Sequence, residues 1–188
     1  MVNGHLLKLL QERKASRAIS TQKCDDEIIE KLMHAAQLSA SCFNNQPWRF
    51  LFLTEELTLK KAGQALSEGN SWAKKAPLMI VGFSKSDLDC QLKDGRDYFL
   101  FDLGMATQLI LLKATELDLV ARPMAGFSPE VIKREFDIPD EYMVFIMIAV
   151  GYEGNIEDLD EKKQKVSTEP RKRNPLSMNF FKNRFVLN

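Results

Sequence analysis

Apolar residues near the start of the chain recur at the spacing of two amphipathic helices. Leucines within residues 6–10 give one apolar face to a short first helix. A wider apolar stripe covers residues 28–38 and follows Asp25 and Asp26. Carboxylates at such a position offset the unpaired amide dipoles of a helix N-terminus, so the pattern predicts that a second helix begins there.

Continuous apolar runs predict the strands of a sheet. These runs cover residues 48–54, 78–83, 120–125 and 143–150. The first run is too continuously apolar for a strand with one wet face, so we expect it to lie inside the sheet. Residues 55–68, followed by Gly69, and residues 129–136 lie between these runs, and their composition predicts two further helices.

The longest apolar element covers residues 98–119, with apolar side chains around most of a helical circumference. Four charged residues make it a poor membrane span: Asp102, Lys113, Glu116 and Asp118. A helix that is apolar nearly all round must be buried, and a domain of this size has limited room to surround one. The pattern therefore favours burial of this helix against a second subunit.

Two strongly charged segments, residues 84–97 and 153–170, are typical of surface connections. The first carries Asp87, Asp89 and Asp94, a spacing that suggests a calcium loop, but the glycine is misplaced and the closing glutamate is absent. The chain has two histidines, so a multi-histidine metal site is not expected either. We predict no metal site from the sequence.

The last residues of the chain carry an apolar cluster of Phe180, Phe181 and Phe185. Such a cluster is costly to leave in water. We therefore expect the end of the chain either to dock on its own domain or to wrap around a partner.

The composition is that of a single soluble domain, because 45% of the 188 residues are hydrophobic and can fill a core. The formal net charge is zero, so no overall field draws the protein onto nucleic acid or an anionic membrane. Three cysteines, Cys24, Cys42 and Cys90, are odd in number and far apart, which favours reduced thiols over a disulfide framework. We see no signal peptide and expect a cytoplasmic protein.

Several common catalytic motifs are absent from the sequence. It contains no G-x-S-x-G elbow, no P-loop, no C-x-x-C pair and no H-E-x-x-H helix. A G-x-G-x-x-G fingerprint for a dinucleotide is absent too. Interpretations as a hydrolase, an NTPase, a zinc enzyme or a Rossmann protein therefore lose their usual support.

A polar loop over residues 39–48, which we call the carboxamide loop, separates the second helix from the first strand. Its adjacent carboxamides Asn44, Asn45 and Gln46 offer paired donors and acceptors that suit the edge of a flat heterocycle. Pro47 fixes its own φ and biases Gln46 towards an extended conformation. The alternative is an ordinary turn into a buried strand.

Cations cluster near both ends of the chain, in Arg13-Lys14-Ala15-Ser16-Arg17 and in Arg171-Lys172-Arg173. Like charges this close repel one another unless water or an anion lies among them. Each cluster is either a solvated basic segment or part of a phosphate clamp, in which a charge-assisted hydrogen bond contributes about 1.5–3 kcal/mol. Together with the carboxamide loop, the two clusters could hold a phosphorylated planar cofactor.

These features resemble the nitroreductase-like flavoproteins over essentially the whole chain. The matching motifs are Arg13-x-x-x-Arg17, Ala40-Ser41-x-x-Asn44-x-Gln46-Pro47-Trp48, Ala76-Pro77 before a strand, and Arg171-x-Arg173-x-Pro175-Leu176. The resemblance implies an α+β fold with a mainly antiparallel central sheet flanked by helices. It also implies a homodimer with the long buried helix at its interface and FMN bound between the subunits. Residues 1–170 would form the FMN-binding domain, and residues 171–188 an extended C-terminal arm of that domain, docked on the partner.

The resemblance assigns roles to individual residues. The positions that match the phosphate site are Arg13, Arg171 and Arg173, with Ala15 in place of a serine there, and Lys14 is a further cofactor-binding position. Arg17 would lie near the N1–C2 carbonyl side of the ring, where a cation stabilises a reduced, anionic flavin. The partner-subunit loop that lines the ring matches Ser41, Cys42, Asn44 and Gln46. The backbone amide opposite flavin N5 falls at Ala125 or Gly126, and Asn70 or Lys74 would supply a further ring contact.

The implied activity is that of an FMN-dependent oxidoreductase. NAD(P)H would pass hydride to flavin N5 and leave, and a small-molecule electron acceptor, such as a nitroaromatic or a quinone, would then take its place in a ping-pong mechanism. Proximity and the tuned flavin do the work, so no protein acid or base is expected to be indispensable. Neither nucleic acid nor a membrane is expected as a partner.

The sequence departs from the family pattern in three ways, and other activities of this fold remain alternatives. Ala15 stands where the family usually has serine, and Ala40 stands where it usually has proline. The chain is also short, which leaves little room for the extra helices that shape substrate pockets in larger members. The alternatives are a flavin-dependent dehalogenase, a flavin-fragmenting relative, and a non-enzymatic flavin-binding or purely structural dimer.

Overall fold

Antiparallel strands form the centre of the computed structural model, which describes residues 4–185. The strands are β1 (Arg49–Leu53), β2 (Leu78–Ser84), β3 (Leu119–Met124) and β4 (Met143–Tyr152). They form one sheet in the order β1-β2-β4-β3, and every neighbouring pair is antiparallel. This sheet, flanked by helices, confirms the expected α+β fold.

Helices cover both faces of the sheet. Within residues 4–185 they are α1 (His5–Glu12), α2 (Asp26–Gln37), α3 (Glu56–Ala65), α4 (Tyr98–Glu116), α5 (Pro129–Glu135), α6 (Glu161–Thr168) and α7 (Leu176–Asn179). The predicted helix over residues 55–68 is too long. It ends early because Leu66 leaves the helix in an extended conformation and forms a β-bridge with Phe127.

The charged segment over residues 153–170, which the sequence indicates as a surface connection, contains α6. Asp160 caps the helix, since its Oδ1 accepts a hydrogen bond from the amide of Lys163 at 2.9 Å. None of the residues in α6 is buried. The segment therefore lacks the apolar stripe from which helices are predicted. The capping aspartate is a local signal for the start of the helix.

The sheet separates two apolar cores. Met79 and Met147 point to one face, where α3 and α5 cover them. Ile80 and Ile148 point to the opposite face, where α2 and α4 cover them. Neighbouring residues of a strand point to opposite faces, so the continuous apolar runs over residues 78–83 and 143–150 follow from helices packed on both sides.

The expectation that the first apolar run lies inside the sheet is wrong, because β1 is an edge strand. Leu51 and Leu53 belong to the core under α3 and α5, whereas Phe50 and Phe52 pack towards the core under α2 and α4. Residues on both faces of β1 therefore pack against an apolar core, which explains the apolar run. How apolar a strand is depends on whether its two faces pack against other elements. It does not depend on whether the strand has a hydrogen-bonded neighbour on one edge or on both.

The long helix α4 has a buried side and an apolar side that one subunit leaves partly open. Leu103, Ala106 and Ile110 are buried in the subunit. On the other side Phe101 is 56% exposed and Gly104 is exposed as well. Among residues 4–185, no helix is both long and apolar enough to cross a membrane.

The expectation of three reduced thiols is wrong for two of the cysteines, because Cys42 and Cys90 form a disulfide with their Cα atoms 6.3 Å apart. Cys24 is a free, half-buried cysteine. Antiparallel pairing of Arg49 with Phe83 makes the carboxamide loop enter β1 at the same end of the sheet where β2 leaves it. Two cysteines that are far apart in sequence therefore meet in space.

Candidate functional site

The two ends of the chain meet through Arg171. Its guanidinium group donates hydrogen bonds to the carbonyl oxygens of Leu10 at 3.0 Å and Gln11 at 3.1 Å, and also to the carbonyl of Arg13. Carbonyls at the C-terminal end of a helix lack partners within the helix, so a cation there is doubly favourable. This contact holds the second cation cluster against the first.

A cavity of about 480 Å³, which we call the arginine cavity, lies where the two ends meet. Six of the residues predicted to bind the cofactor line it: Arg13, Lys14, Ala15, Arg17, Arg171 and Arg173. Its lining also includes Arg122 and two acidic residues, Glu153 and Glu169. The structure thus brings both predicted cation clusters into one place.

Most of the positive charge in the arginine cavity has no counter-ion among residues 4–185. Lys14 is paired, since its Nζ lies 2.5 Å from Oε1 of Glu153. Within residues 4–185, neither Arg13 nor Arg173 forms an ion pair with a carboxylate. Burial, and then the neighbouring charges of Arg171 and Arg173, lower the pKa of Arg13. A cavity with this excess of positive charge is suited to bind an anion.

Arg122 of β3 is a candidate residue that the sequence analysis missed. Its guanidinium group donates a hydrogen bond to the carbonyl of Ala15 and lies 5.7 Å from the ring centre of Trp72. Burial, followed by the nearby charge of Arg17, lowers the pKa of Arg122 to about 10. The signal in the sequence was a single arginine inside an otherwise apolar strand.

Gly126, one of the two positions predicted to face flavin N5, is held from two sides. The amide of Ser67 and the side-chain nitrogen of Asn70 both donate to its carbonyl oxygen at 3.0 Å. A Cβ at Gly126 would lie 2.6 Å from Ser67 Oγ and 2.8 Å from Asn70 Nδ2, so no other residue fits without movement. Its neighbour Ala125 is exposed.

The two further ring-contact candidates separate in the structure. Asn70 contacts Gly126, as described above. Lys74 instead packs near Gly63 and lines a different cavity of about 830 Å³, together with Lys75. The structure therefore places Asn70, and not Lys74, beside the predicted N5 position.

The carboxamide loop has an unusual backbone. Phe43, Asn44 and Gln46 have φ values of 47°, 58° and 51°, in the left-handed region that residues other than glycine rarely adopt. The expected extended conformation of Gln46 is therefore wrong. Its amide donates to Ser41 Oγ at 3.0 Å and its side chain donates to the carbonyl of Asn44 at 3.1 Å, and these two contacts hold the turn.

Two buried aspartates anchor the carboxamide loop to the rest of the subunit. The amide of Cys42 donates to Oδ2 of Asp102 on α4 at 2.8 Å, and the side chain of Asn45 donates to Oδ1 of Asp89 at 3.2 Å. Burial raises the pKa of Asp102 and nearby Asp89 raises it further, although the amide of Cys42 acts in the opposite direction. These contacts fix the base of the loop and leave its tip exposed, with Phe43 at 89%.

The carboxamide loop and the arginine cavity do not meet within one subunit. Among the described residues, the lining of the arginine cavity includes none of the four predicted ring-lining residues, which are Ser41, Cys42, Asn44 and Gln46. Gln46 instead lines a separate cleft with Trp48 and Arg49. One subunit thus presents the two predicted parts of the cofactor site on different surfaces.

The chain is similar to known proteins along most of its length. The model of the Nitroreductase family matches residues 10–82 and 68–152, which include the first cation cluster, the carboxamide loop and the whole sheet. A protein of Archaeoglobus fulgidus, provisionally named NADH dehydrogenase/NAD(P)H nitroreductase, is 29% identical over 160 residues. The match covers 82% of this chain and 89% of that protein.

Two further proteins are similar to this chain over most of its length. A crystal structure described as an oxidoreductase containing FMN is 26% identical and superposes with a TM-score of 0.87, covering 99% of this chain and 96% of its own. The iodotyrosine deiodinase of Haliscomenobacter hydrossis is 23% identical over 175 residues, which cover 77% of this chain and 78% of that protein.

Proposed function

Because the chain belongs to the nitroreductase family, we propose that it is an FMN-dependent oxidoreductase. It takes hydride from NAD(P)H and then reduces an electron-poor acceptor, such as a nitroaromatic or a quinone. The arginine cavity carries this proposal, because unpaired guanidinium groups are the donors that suit a phosphate monoester. The similar crystal structure of an oxidoreductase containing FMN supports the choice of cofactor.

Arg13 and Arg173 hold the FMN phosphate in this proposal. A phosphate monoester carries about 1.5 to 2 negative charges at pH 7, so it offsets charge that the protein leaves uncompensated. Arg171 donates to the backbone at the end of α1, so its main role is to hold the arm beside the phosphate. Ala15 supplies no hydroxyl, and the phosphate affinity therefore depends on the guanidinium groups.

The residues next to the arginine cavity serve the isoalloxazine ring. Arg17 stabilises negative charge at the N1–C2 side, and Arg122 adds to the positive potential there. Ser67 and Asn70 hold Gly126, so that the backbone amide of Ala125 or Gly126 faces N5. When bound, FMN supplies the hydride-accepting N5 and passes the electrons on to the second substrate. No side chain in this arrangement needs to transfer a proton.

A homodimer completes the site in this proposal. The carboxamide loop does not line the arginine cavity of its own subunit, so a second copy must supply it. The exposed side of α4, with Phe101 at 56% exposure and Gly104 beside it in the helix, gives that second copy an apolar surface to cover. The exposed tip of the loop would then project from one copy to the flavin of the other.

The C-terminal arm contributes to the same dimer. Phe180 and Phe185 are each 69% exposed in the subunit, so the arm does not bury these rings on its own domain. Phe181 and Phe185 contact each other with ring centres 4.8 Å apart. In this proposal residues 171–185 belong to an arm that crosses to the partner, where these rings become buried; the rest of the predicted arm, residues 186–188, lies outside the described residues.

Anaerobic mixing of the FMN-loaded protein with NADH, and separately with NADPH, tests the proposed reaction. We expect the visible flavin absorbance to be lost with at least one of them and to return when a quinone is added. Absorbance that neither nucleotide changes would contradict the oxidoreductase proposal. A colourless preparation that gains no absorbance after incubation with FMN would point to a purely structural dimer.

A flavin-dependent dehalogenase is the second candidate, because an iodotyrosine deiodinase is among the similar proteins. The two reactions share the cofactor and differ in the molecule that receives the electrons. Halide released from an iodinated tyrosine by the reduced protein, without turnover of nitroaromatics or quinones, would favour the dehalogenase.

A further inference from the structure

A second group of potential ligands lies outside the arginine cavity, between the carboxamide loop and α4. Cys42, Asp89 and Cys90 place one ligand atom each within 4.8 Å of one another. Asp102 of α4 lies beside them, since it accepts a hydrogen bond from the amide of Cys42 and interacts with Asp89. The proposed flavin chemistry uses neither aspartate and neither sulfur of this group.

Two carboxylate oxygens of this group accept no hydrogen bond from an N–H or hydroxyl donor among the described residues. They are Oδ2 of Asp89, a residue that is 7% exposed, and Oδ1 of Asp102, which is 0% exposed. No lysine or arginine within residues 4–185 forms an ion pair with either acid. Unpaired buried carboxylates are costly, so this arrangement requires a proton or a cation.

The aspartates of the suspected calcium loop argue against calcium as the cation bound by this group. Asp87 pairs with Lys85 at 3.1 Å, and Asp94 pairs with Arg96 at 2.8 Å, so these two residues of the suspected calcium loop are neutralised at the surface. Asp89 alone of the three is buried. Its partners in the group are two sulfur atoms, and thiolates select softer ions such as zinc over calcium.

We propose that Cys42, Asp89 and Cys90 bind one zinc ion when the disulfide between the two cysteines is reduced. A water molecule fills the fourth position and donates a hydrogen bond to the free oxygen of Asp102. Tetrahedral zinc has bonds of about 2.3 Å to sulfur and about 2.0–2.2 Å to carboxylate oxygen. Ligand atoms of such a site lie within about 4 Å of one another, so shifts of side chains suffice to form it.

The disulfide and the zinc site are alternative states of the same two cysteines. A dithiol reductant supplies two electrons and two protons, the bond between Cys42 Sγ and Cys90 Sγ breaks, and the reductant becomes a disulfide. Zinc then displaces the two thiol protons into solvent and bonds to both thiolates. Both cysteines are partly exposed, so the reductant and the ion can reach them.

Zinc binding would also fix the carboxamide loop, because Cys42 belongs to it. In the reduced protein the ion would replace the covalent tie between this loop and Cys90. Any effect of this exchange on the flavin rests on the proposed function. Zinc binding itself does not, and it can be measured on protein without FMN.

Metal titration of the reduced protein tests this proposal. The protein is reduced with dithiothreitol, freed of it by anaerobic gel filtration, and titrated with Co²⁺ and then Zn²⁺. We expect one Co²⁺ per chain with sulfur-to-metal charge-transfer absorption, displaced by Zn²⁺, and no such binding by the disulfide form. Zn²⁺ should raise the Tm of the reduced protein and leave the Tm of the disulfide form unchanged. Reduced protein that binds neither ion stoichiometrically would overturn the zinc site and leave the flavin proposal intact.

Three variants locate the site within the chain. Asp89→Asn and Cys90→Ser should weaken Co²⁺ binding about 10-fold or more, because each removes a ligand. Cys24→Ser is the matched control and should bind Co²⁺ as the unmodified protein does, since Cys24 is the free cysteine outside this group. Equal binding by all three variants, or a loss of binding in Cys24→Ser, would contradict the assignment.

Discussion

The Arg13→Ala variant is expected to bind FMN about 10 to 100 times more weakly than the unmodified protein, because it loses charge-assisted contacts to the phosphate. The variant without FMN should be at least as stable in urea. Burial and the charges of Arg171 and Arg173 lower the pKa of Arg13, and the substitution removes this unfavourable charge. Quenching of FMN fluorescence measures the affinity, and urea denaturation measures the stability.

A matched control separates the site from net charge. Arg134→Ala removes one exposed arginine from α5, where Arg134 pairs with Glu135 at 3.0 Å. Both variants change the net charge equally, but only Arg13 lines the arginine cavity. FMN affinity should therefore fall in Arg13→Ala and not in Arg134→Ala. Equal affinities in all three proteins would remove Arg13 from the phosphate site.

The Gly104→Glu variant is expected to be a monomer that has lost its FMN. A Cβ at Gly104 meets no atom of residues 4–185 within 4 Å, so the fold should accept the new side chain. Against a second copy packed on α4, the carboxylate would be buried without a partner, at a cost of about 2–5 kcal/mol. That cost weakens dimerisation by a factor of about 30 to several thousand. Sedimentation velocity and the visible spectrum of the purified protein measure the two effects.

Gln64→Glu is the control for Gly104→Glu, because it introduces the same carboxylate on the exposed side of α3. It should stay a dimer and keep its FMN. Replacing glycine within a helix also stabilises the helix itself by a few tenths of a kcal/mol or more, so an unfolded Gly104→Glu subunit is not expected. A dimeric Gly104→Glu protein with full FMN content would exclude α4 from the interface.

The regular elements were predictable because their local patterns agree with their tertiary surroundings. The apolar runs over residues 78–83 and 143–150 correspond to β2 and β4, the two inner strands, which helices cover on both faces. The edge position of β1 was not predictable in this way. Its two faces also pack against the two apolar cores, and a hydrophobic pattern contains no information about hydrogen-bonded neighbours.

The candidate site was predictable only where a motif carried it. The motifs around Arg13 and Arg171 pointed to one shared phosphate site, and the structure brings these two residues together. Arg122 belongs to no motif. It lines the same cavity because β3 packs beside it. The pairing of Cys42 with Cys90 likewise depends on two antiparallel strands that return both loops to one end of the sheet. Such neighbours come from topology, which local sequence does not encode.

A hybrid dimer tests most directly whether the arginine cavity of one subunit and the carboxamide loop of the other form one flavin site. One subunit would carry Arg13→Ala and the other Asn44→Trp, each with its own affinity tag for purification of the mixed dimer. If the site is shared, one site of the hybrid dimer combines the cavity that carries Arg13→Ala with the loop that carries Asn44→Trp. The other site of the hybrid dimer carries neither substitution. We predict one FMN per hybrid dimer, bound with the affinity of the unmodified protein, while both parent dimers bind weakly. Two weak sites and no tight one in the hybrid would contradict the shared site.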